Sequence, residues 1–474
     1  MVVGDVTTGT EVLVIGAGPG GYVAAIRAAQ RDLDVTLVER DAYGGVCLNR
    51  GCIPSKAYIT ATGVAHDAAT AEEMGVYADP AVDLATMREW KEGVVDRLTG
   101  GVEKLCKANG VSLMEGTAKF VDDGTVRVEH DGEGQGAETV SFEHCIVATG
   151  SRPVELPGFD FADEPILDSA TLLDLDAVPD RLVVVGAGYI GMELSTVFAE
   201  LGSDVTVVEM LDDVLPGYED DVARVVRKRA ESTGVDFHFG EGATGWRDAA
   251  DGGIVVTTET EDGEESTYGA DRVLVAVGRE PITDTLDAGK AGLEPTDDGF
   301  FETDERCATD VAGIYAVGDV AGEPMLAHTA SAEGVVAAET IAGEPAAFDT
   351  RAIPAAVFTD PEIATVGLTE SEAKAQGFDP VVGEMPFNAS GRALTVGETE
   401  GFVRIVASAD GFVLGAQIVG PEASELIAEP TLAIEMGATL EDVAATIHTH
   451  PTLSEAVMEA AENALGQAIH TLNR

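Results

Sequence analysis

A strand, a glycine-rich turn, an alanine-rich helix and a second strand ending in an acid occur twice in this chain of 474 residues. That repeat predicts an α/β fold with two Rossmann-like dinucleotide-binding domains. The first copy runs from Glu11–Ile15 through Gly16-Ala17-Gly18-Pro19-Gly20-Gly21 to Asp34–Val38 and Glu39. The second runs from Arg181–Val185 through Gly186-Ala187-Gly188-Tyr189-Ile190-Gly191 to Val205–Val208 and Glu209. In each copy the acid stands 23 residues after the first glycine (39 − 16 and 209 − 186).

The three glycines of each turn have separate tasks. Gly16 and Gly186 permit the tight turn, and Gly18 and Gly188 let the backbone approach a pyrophosphate. Gly21 and Gly191 allow close helix–strand packing, with the helix N-terminus facing the phosphates. Glu39 and Glu209 are placed to accept hydrogen bonds from an adenosine ribose diol. One such turn is weak evidence, but two with identical acid spacing predict two dinucleotides and electron transfer between them. Glu209 is followed by Met210-Leu211-Asp212-Asp213, and no Lys or Arg occurs before Arg224. A ribose 2′-phosphate would find no cation there, so the second site is expected to take NAD rather than NADP. The first copy leads directly into a cysteine pair, which points to a redox-active flavin.

That pair lies in Cys47-Leu48-Asn49-Arg50-Gly51-Cys52-Ile53-Pro54-Ser55-Lys56. Residues five apart in a regular helix have Cα atoms roughly 8.6 Å apart, whereas a disulfide needs about 4.4–6.8 Å. If Cys47 and Cys52 bond, the chain must leave the helix between them, where Gly51 permits it. Cys52 then opens a helix with Lys56 four residues on along one face. The helix N-terminus and the ammonium both favour a Cys52 thiolate. The other cysteines, Cys106, Cys145 and Cys307, are scattered, so the set of five is no disulfide framework.

Composition narrows the setting. There are 85 acidic and 28 basic residues, a net charge of −57. Such a charge excludes nucleic acid and anionic membrane as partners. The acids are spread among apolar strands, so this is no acidic disordered tail. It is the composition of a cytoplasmic protein from an extreme halophile. No apolar run approaches the roughly 18 residues that span a bilayer. Met1–Gly9 reads as acidic, turn-rich and without a signal peptide. No metal site is assigned.

Near the C-terminus, His448-Thr449-His450-Pro451-Thr452-Leu453-Ser454-Glu455 precedes a last alanine-rich helix. Pro451 suits a first helical turn, leaving His450 just outside it. Thiol–disulfide exchange needs a base, and imidazole is suited to the task. Glu455 is the local carboxylate to fix its tautomer. His448 is open to the blander reading of a residue that shapes the loop.

The segment Gly44-Gly45-Val46-Cys47 to Lys56 resembles the redox motif of the FAD-containing pyridine nucleotide–disulfide oxidoreductases. The similarity extends over nearly the whole chain. Ala148-Thr149-Gly150 and Val277-Gly278-Arg279 resemble the segments where that family passes between its FAD and NAD domains. Ala316-Val317-Gly318-Asp319 resembles its second FAD motif. Arg50 departs mildly, since relatives often carry an apolar residue there.

The resemblance implies that Cys47 exchanges with the substrate disulfide and that Cys52 is the thiolate beside the flavin. It implies that Glu193 pairs with Lys56 near the flavin, that Asp319 holds the ribityl chain, and that His450 with Glu455 is the base. Gly16, Gly18, Gly21, Glu39, Lys56, Thr149, Gly150 and Asp319 are then the FAD residues. Gly186, Gly188, Gly191, Glu209, Gly278 and Arg279 are the NAD residues.

The implied domains are an FAD domain over 1–151, an NAD domain over 152–277, a segment over 278–350 completing the FAD site, and an α+β dimerisation domain over 351–474. The implied activity is oxidation of a dihydrolipoyl group, free or carried by a 2-oxo acid dehydrogenase or glycine cleavage component, by a homodimer. A glutathione-type reductase should prefer NADP, against the Glu209 segment. Mercuric and large thioredoxin reductases should carry extra C-terminal redox residues, whereas this chain ends Thr471-Leu472-Asn473-Arg474. A non-catalytic scaffold should have lost a cysteine, His450 or a glycine turn, and all are present.

Overall fold

The computed structural model describes residues 6–130, 136–250 and 252–473. One mixed sheet, one parallel sheet and one antiparallel sheet organise them, as the α/β plus α+β expectation required. Of the N-terminal stretch read as turn-rich, residues 1–5 lie outside the described residues, and the remainder already belongs to the strand Val6–Ile15.

That strand is central to the first sheet. Val35–Glu39 and Ser112–Glu115 extend the sheet in parallel on one side, and Ala137–Val147 pairs on the other. Val12, Leu13, Val14 and Ile15 are all buried, because helices cover both faces of a parallel sheet. The helix Pro19–Ala29 starts with proline at its first position and buries only small residues: Gly20, Gly21, Ala24, Ala25 and Ala28. Those small residues admit the helix Ala327–Ile341, where a Cβ on Gly334 would stand 2.5 Å from the Gly20 carbonyl oxygen. The strand Ile314–Ala316 joins the same sheet beside Ala137–Val147. Segments three hundred residues apart thus form one layer system.

The second sheet is wholly parallel, in the order Asp236–Phe239, Asp204–Glu209, Arg181–Val185, Arg272–Val275, Ile166–Leu167. An antiparallel meander, Glu241–Asp248, Ile254–Thr260 and Glu265–Ala270, is attached to it. Nothing in the glycine repeat announces that meander. Between the two units, Ser151–Pro153 pairs with Arg279–Pro281 as a short ribbon. The C-terminal sheet is antiparallel and runs Ala355–Val357, Glu362–Gly367, Val413–Gly420, Phe402–Ala407, Val381–Pro386. The helix Glu455–Ala464 packs on it through Ala456, Val457, Ala460 and Ala461. Among the described residues no helix is long and apolar enough to cross a membrane.

Candidate active site

The two glycine turns are built alike to within tenths of an ångström. Gly16 and Gly186 have φ of 100° and 102°, where a side chain is strained. A Cβ on Gly21 would lie 1.9 Å from the Gly16 carbonyl oxygen, and one on Gly191 would lie 2.0 Å from that of Gly186. The middle glycines differ from these. A Cβ on Gly188 would meet nothing within 4 Å, and one on Gly18 would meet only the Gly45 Cα at 4.0 Å. The protein's own packing does not need glycine at the middle position; the space above it is left for a ligand.

The acids close each turn in the same way. Glu39 Oε2 accepts from the Ala17 N–H at 2.7 Å and its Oε1 from the Asp41 N–H at 2.8 Å. Glu209 Oε2 accepts from the Ala187 N–H at 2.7 Å and its Oε1 from the Leu211 N–H at 2.9 Å. Burial pushes the Glu39 carboxyl up, against the N–H of Ala17. Each carboxylate keeps lone pairs for a diol.

A cavity of about 610 Å³ runs from the first turn to the cysteines. Its walls include Gly16, Gly18, Glu39, Cys47, Cys52, Lys56, Thr149, Gly150, Glu193 and Asp319. Thr149 is tied by its hydroxyl to the Ile282 carbonyl at 2.6 Å. Arg279 also lines this cavity, donating to the Ser151 hydroxyl and carbonyl at 2.8 Å each, and the Ser151 hydroxyl donates to Asp319 Oδ2 at 2.5 Å. The sequence reading put Arg279 with the second nucleotide; the Ser151–Pro153 ribbon sets it on the wall of this cavity, which also takes in Tyr189 and Ile190 of the second turn. Gly278, whose carbonyl receives the Val154 N–H, is not on that wall.

Between the cysteines the backbone leaves the helix. Gly45–Asn49 is one helical turn, Arg50 and Gly51 depart from helical angles, and Cys52–Thr70 begins a new helix. The cysteines stand as a dithiol. The Cys47 thiol donates to Cys52, which lowers the Cys52 pKa to about 7; burial opposes this, and the Lys56 ammonium supports it. Cys47 moves upward for the complementary reason, having a hydrogen bond and a buried setting that favour its protonated form.

Lys56 Nζ donates to Glu193 Oε2 at 2.7 Å, and Glu193 is buried. Glu193 lies one turn into the helix Tyr189–Glu200, which starts at the second glycine turn. One ion pair therefore joins the cysteine-bearing helix to the second nucleotide module.

His450 and Glu455 are not on the cavity wall. His450 is 79% exposed; its Nδ1 lies 2.9 Å from Glu455 Oε1, and Glu455 Oε2 accepts the Thr452 N–H at 2.9 Å. Burial would raise the Glu455 carboxyl, but the Thr452 N–H and His450 hold it below the usual range. An Nδ1–H donated to Glu455 leaves Nε2 free to accept a proton. His448 has no free ring nitrogen: Nδ1 meets the Thr446 carbonyl and Nε2 meets Glu429, both at 2.9 Å.

Sequence reasoning missed Ser151, Glu333 and Phe358. Glu333 Oε2 accepts the Gly318 N–H at 2.6 Å, behind Asp319. The Phe358 N–H donates to Glu193 Oε1 at 2.9 Å. Only Ser151 had a signal, its place next to Gly150.

The pyridine nucleotide-disulphide oxidoreductase family matches residues 10–334, and its dimerisation domain matches residues 353–461. A dihydrolipoyl dehydrogenase of Haloferax volcanii is 72% identical over 476 residues, with all of both chains covered. One of Halobacterium salinarum is 70% identical over 475 residues, again covering all of both. The crystal structure of LpdA from Mycobacterium tuberculosis is similar at a TM-score of 0.89 and 30% identity, covering 96% of this chain and 99% of that one.

Proposed function

Because this chain belongs to the pyridine nucleotide–disulphide oxidoreductase family, we propose that it is a dihydrolipoyl dehydrogenase, oxidising a dihydrolipoyl dithiol to its cyclic disulfide and passing two electrons to NAD. The carrying observation is the Cys47–Cys52 pair, with its helix break and low Cys52 pKa, on the same cavity as a complete dinucleotide turn.

FAD fits that cavity: Gly18 leaves room for a pyrophosphate in a turn that Gly16 and Gly21 keep tight, Glu39 keeps lone pairs for a ribose diol, and Lys56, Thr149, Gly150 and Asp319 line the remainder. NAD fits the second turn, at Gly186, Gly188, Gly191 and Glu209, with Gly278 and Arg279 at the passage between the units. Bound FAD supplies the two-electron relay between the cysteine pair and NAD. Residues 1–151, 152–277, 278–350 and 351–474 are assigned as FAD domain, NAD domain, FAD-completing segment and dimerisation domain.

In the exchange, His450 Nε2 takes the proton of one dihydrolipoyl thiol. The resulting thiolate attacks the sulfur of Cys47 in the oxidised pair. The Cys47–Cys52 bond breaks, a mixed disulfide forms, and Cys52 leaves as thiolate beside Lys56. The second substrate thiol attacks its neighbouring sulfur while its proton passes to the departing Cys47 sulfur, closing the lipoyl ring and freeing Cys47 as a thiol. Glu455 keeps the imidazole in the tautomer that accepts at Nε2. The lipoyl group belongs to a 2-oxo acid dehydrogenase or glycine cleavage component, or to free dihydrolipoamide, and the enzyme works as a cytoplasmic homodimer.

Steady-state assays with lipoamide, glutathione disulfide and Hg(II), each with NADH and NADPH, test this. Turnover should be confined to lipoamide with NADH. A preference for glutathione disulfide and NADPH would replace the reading by a glutathione-type reductase.

Two variants probe the assignments. On limited reduction, Cys47→Ser should keep the long-wavelength absorption of a thiolate against flavin and lose lipoamide turnover. Cys52→Ser keeping the band would reverse the roles. Glu209→Arg should lower kcat/KM for NAD by about tenfold or more, since a diol acceptor and two backbone bonds go together. The NADP/NAD ratio should rise; an unchanged ratio would exclude Glu209 from ribose recognition.

A further inference from the structure

Lys56 has a neighbour outside its own domain and that of Glu193. The ring of Phe358 lies against the ammonium, with Nζ 4.5 Å from its centroid. The same residue's N–H holds Glu193 Oε1, while Lys56 holds Oε2. Phe358 directly follows Ala355–Val357, an edge strand of the C-terminal sheet. Its backbone is fixed from the other side as well: Thr359 is buried with its hydroxyl on the Pro361 carbonyl at 2.9 Å, and Asp360 accepts from Arg229 Nε at 2.7 Å. One residue of the dimerisation domain therefore touches both members of the Lys56–Glu193 pair.

We propose that Phe358 is a positioning residue for the redox centre: its ring and its N–H together hold the Lys56 ammonium and the Glu193 carboxylate in one arrangement beside the cysteines.

The physical need follows from the charges. The groups facing Cys52 are the Cys47 thiol, the Lys56 ammonium, the Glu193 carboxylate and the Tyr189 phenol. Lys56 favours a thiolate there and Glu193 opposes it. The net field at the sulfur depends on where each charge sits. Glu193 is fixed by burial and two donors, but Lys56 ends a flexible four-carbon stem with costly rotamer freedom. A single partly exposed ion pair holds such a stem weakly. An aromatic face attracts the ammonium through its quadrupole and removes alternative rotamers. Simple space filling would ask only for bulk at position 358; the proposed role requires the π-face.

The inference rests on the proposed Cys52 thiolate, and the test separates the two. Phe358 is replaced in the FAD-loaded enzyme by mono-, di- and trifluorophenylalanine, which keep ring size and progressively weaken the quadrupole. Phe358→Tyr and Phe358→Leu accompany the series. The pH midpoint of the thiolate–flavin band is measured in the reduced protein. It should rise stepwise with fluorination, reaching about half a pH unit for the trifluoro ring and for Phe358→Leu. Phe358→Tyr should keep the parent midpoint, and KM for NAD should stay constant throughout. A midpoint that stays flat across the fluorinated series would overturn the role of Phe358 and leave Cys52 intact. A parent enzyme with no thiolate band near neutral pH would overturn the Cys52 assignment and this inference with it. If Phe358→Leu does not fold, the fluorinated series decides alone.

Discussion

Cys47→Ser and His450→Gln homodimers should each turn over dihydrolipoamide at least about 10²–10⁴-fold more slowly than the parent, and mixing them should restore activity. The reason is positional. His450 lies in the segment matching the dimerisation domain, exposed on its own chain and absent from the wall that carries Cys47 and Cys52. Just before it, Ile447 is 96% exposed, and Leu432 and Met436 are exposed as well. Such apolar surface calls for a covering partner, and a second copy would bring His450 to the other subunit's cysteines. A C₂ interface is self-complementary, so each chain both lends a base and receives one. A mixed dimer then gathers both lesions into one site and leaves the other complete. Co-refolded mutants, separated as verified heterodimers by two different affinity tags, should show one working site per dimer. Heterodimers as inactive as their parents would mean that His450 serves its own chain or is not the base.

The parts of this site that were legible beforehand share one property: steric necessity within a short segment. Gly21 and Gly191 cannot be replaced because a Cβ would collide with the carbonyl of Gly16 or Gly186 just before them, and Gly16 and Gly186 turn at φ of 100° and 102°, where a side chain is strained. The break between Cys47 and Cys52 follows from the reach of a disulfide. The Lys56–Glu193 contact spans 137 residues and came only from the family resemblance, since no local pattern marks either residue. What escaped was carried by backbone atoms and by ribbons between units. Phe358 acts partly through its N–H, which any residue but proline would offer. Arg279 stands on the cavity wall because Arg279–Pro281 pairs with Ser151–Pro153, a register that no hydrophobic period encodes. The meander over 241–270 left no trace in the glycine repeat for the same reason.

The second large effect is the response to salt. Activity, dimer and fold should all fail as KCl falls well below 1 M. The 28 basic residues are outnumbered by 85 acids, so even complete pairing leaves most carboxylates facing one another. Salt acts on both sides of this balance. It weakens exposed pairs such as Lys228–Glu400 and Lys290–Asp287, whose individual worth is about 0–1 kcal/mol. It also screens the far more numerous repulsions, and because these dominate the sum, salt stabilises. The half-buried network around Arg404, which holds Glu219, Asp221 and Glu384 across two domains, is screened less and should persist longer than these exposed pairs. Between about 2 M and 0.1 M KCl the unfolding midpoint should fall on the order of 10 °C or more, the change that about 10 kcal/mol produces in a protein of this size. If screening is the cause, the gain should level off near 1 M, where the Debye length is about 3 Å. It should also follow ionic strength more than the identity of the salt. Stabilisation that keeps growing with sulfate and is weak with chloride at equal ionic strength would assign the effect to strengthened apolar burial instead. Midpoints in dilute buffer equal to those in concentrated KCl would remove the electrostatic account altogether.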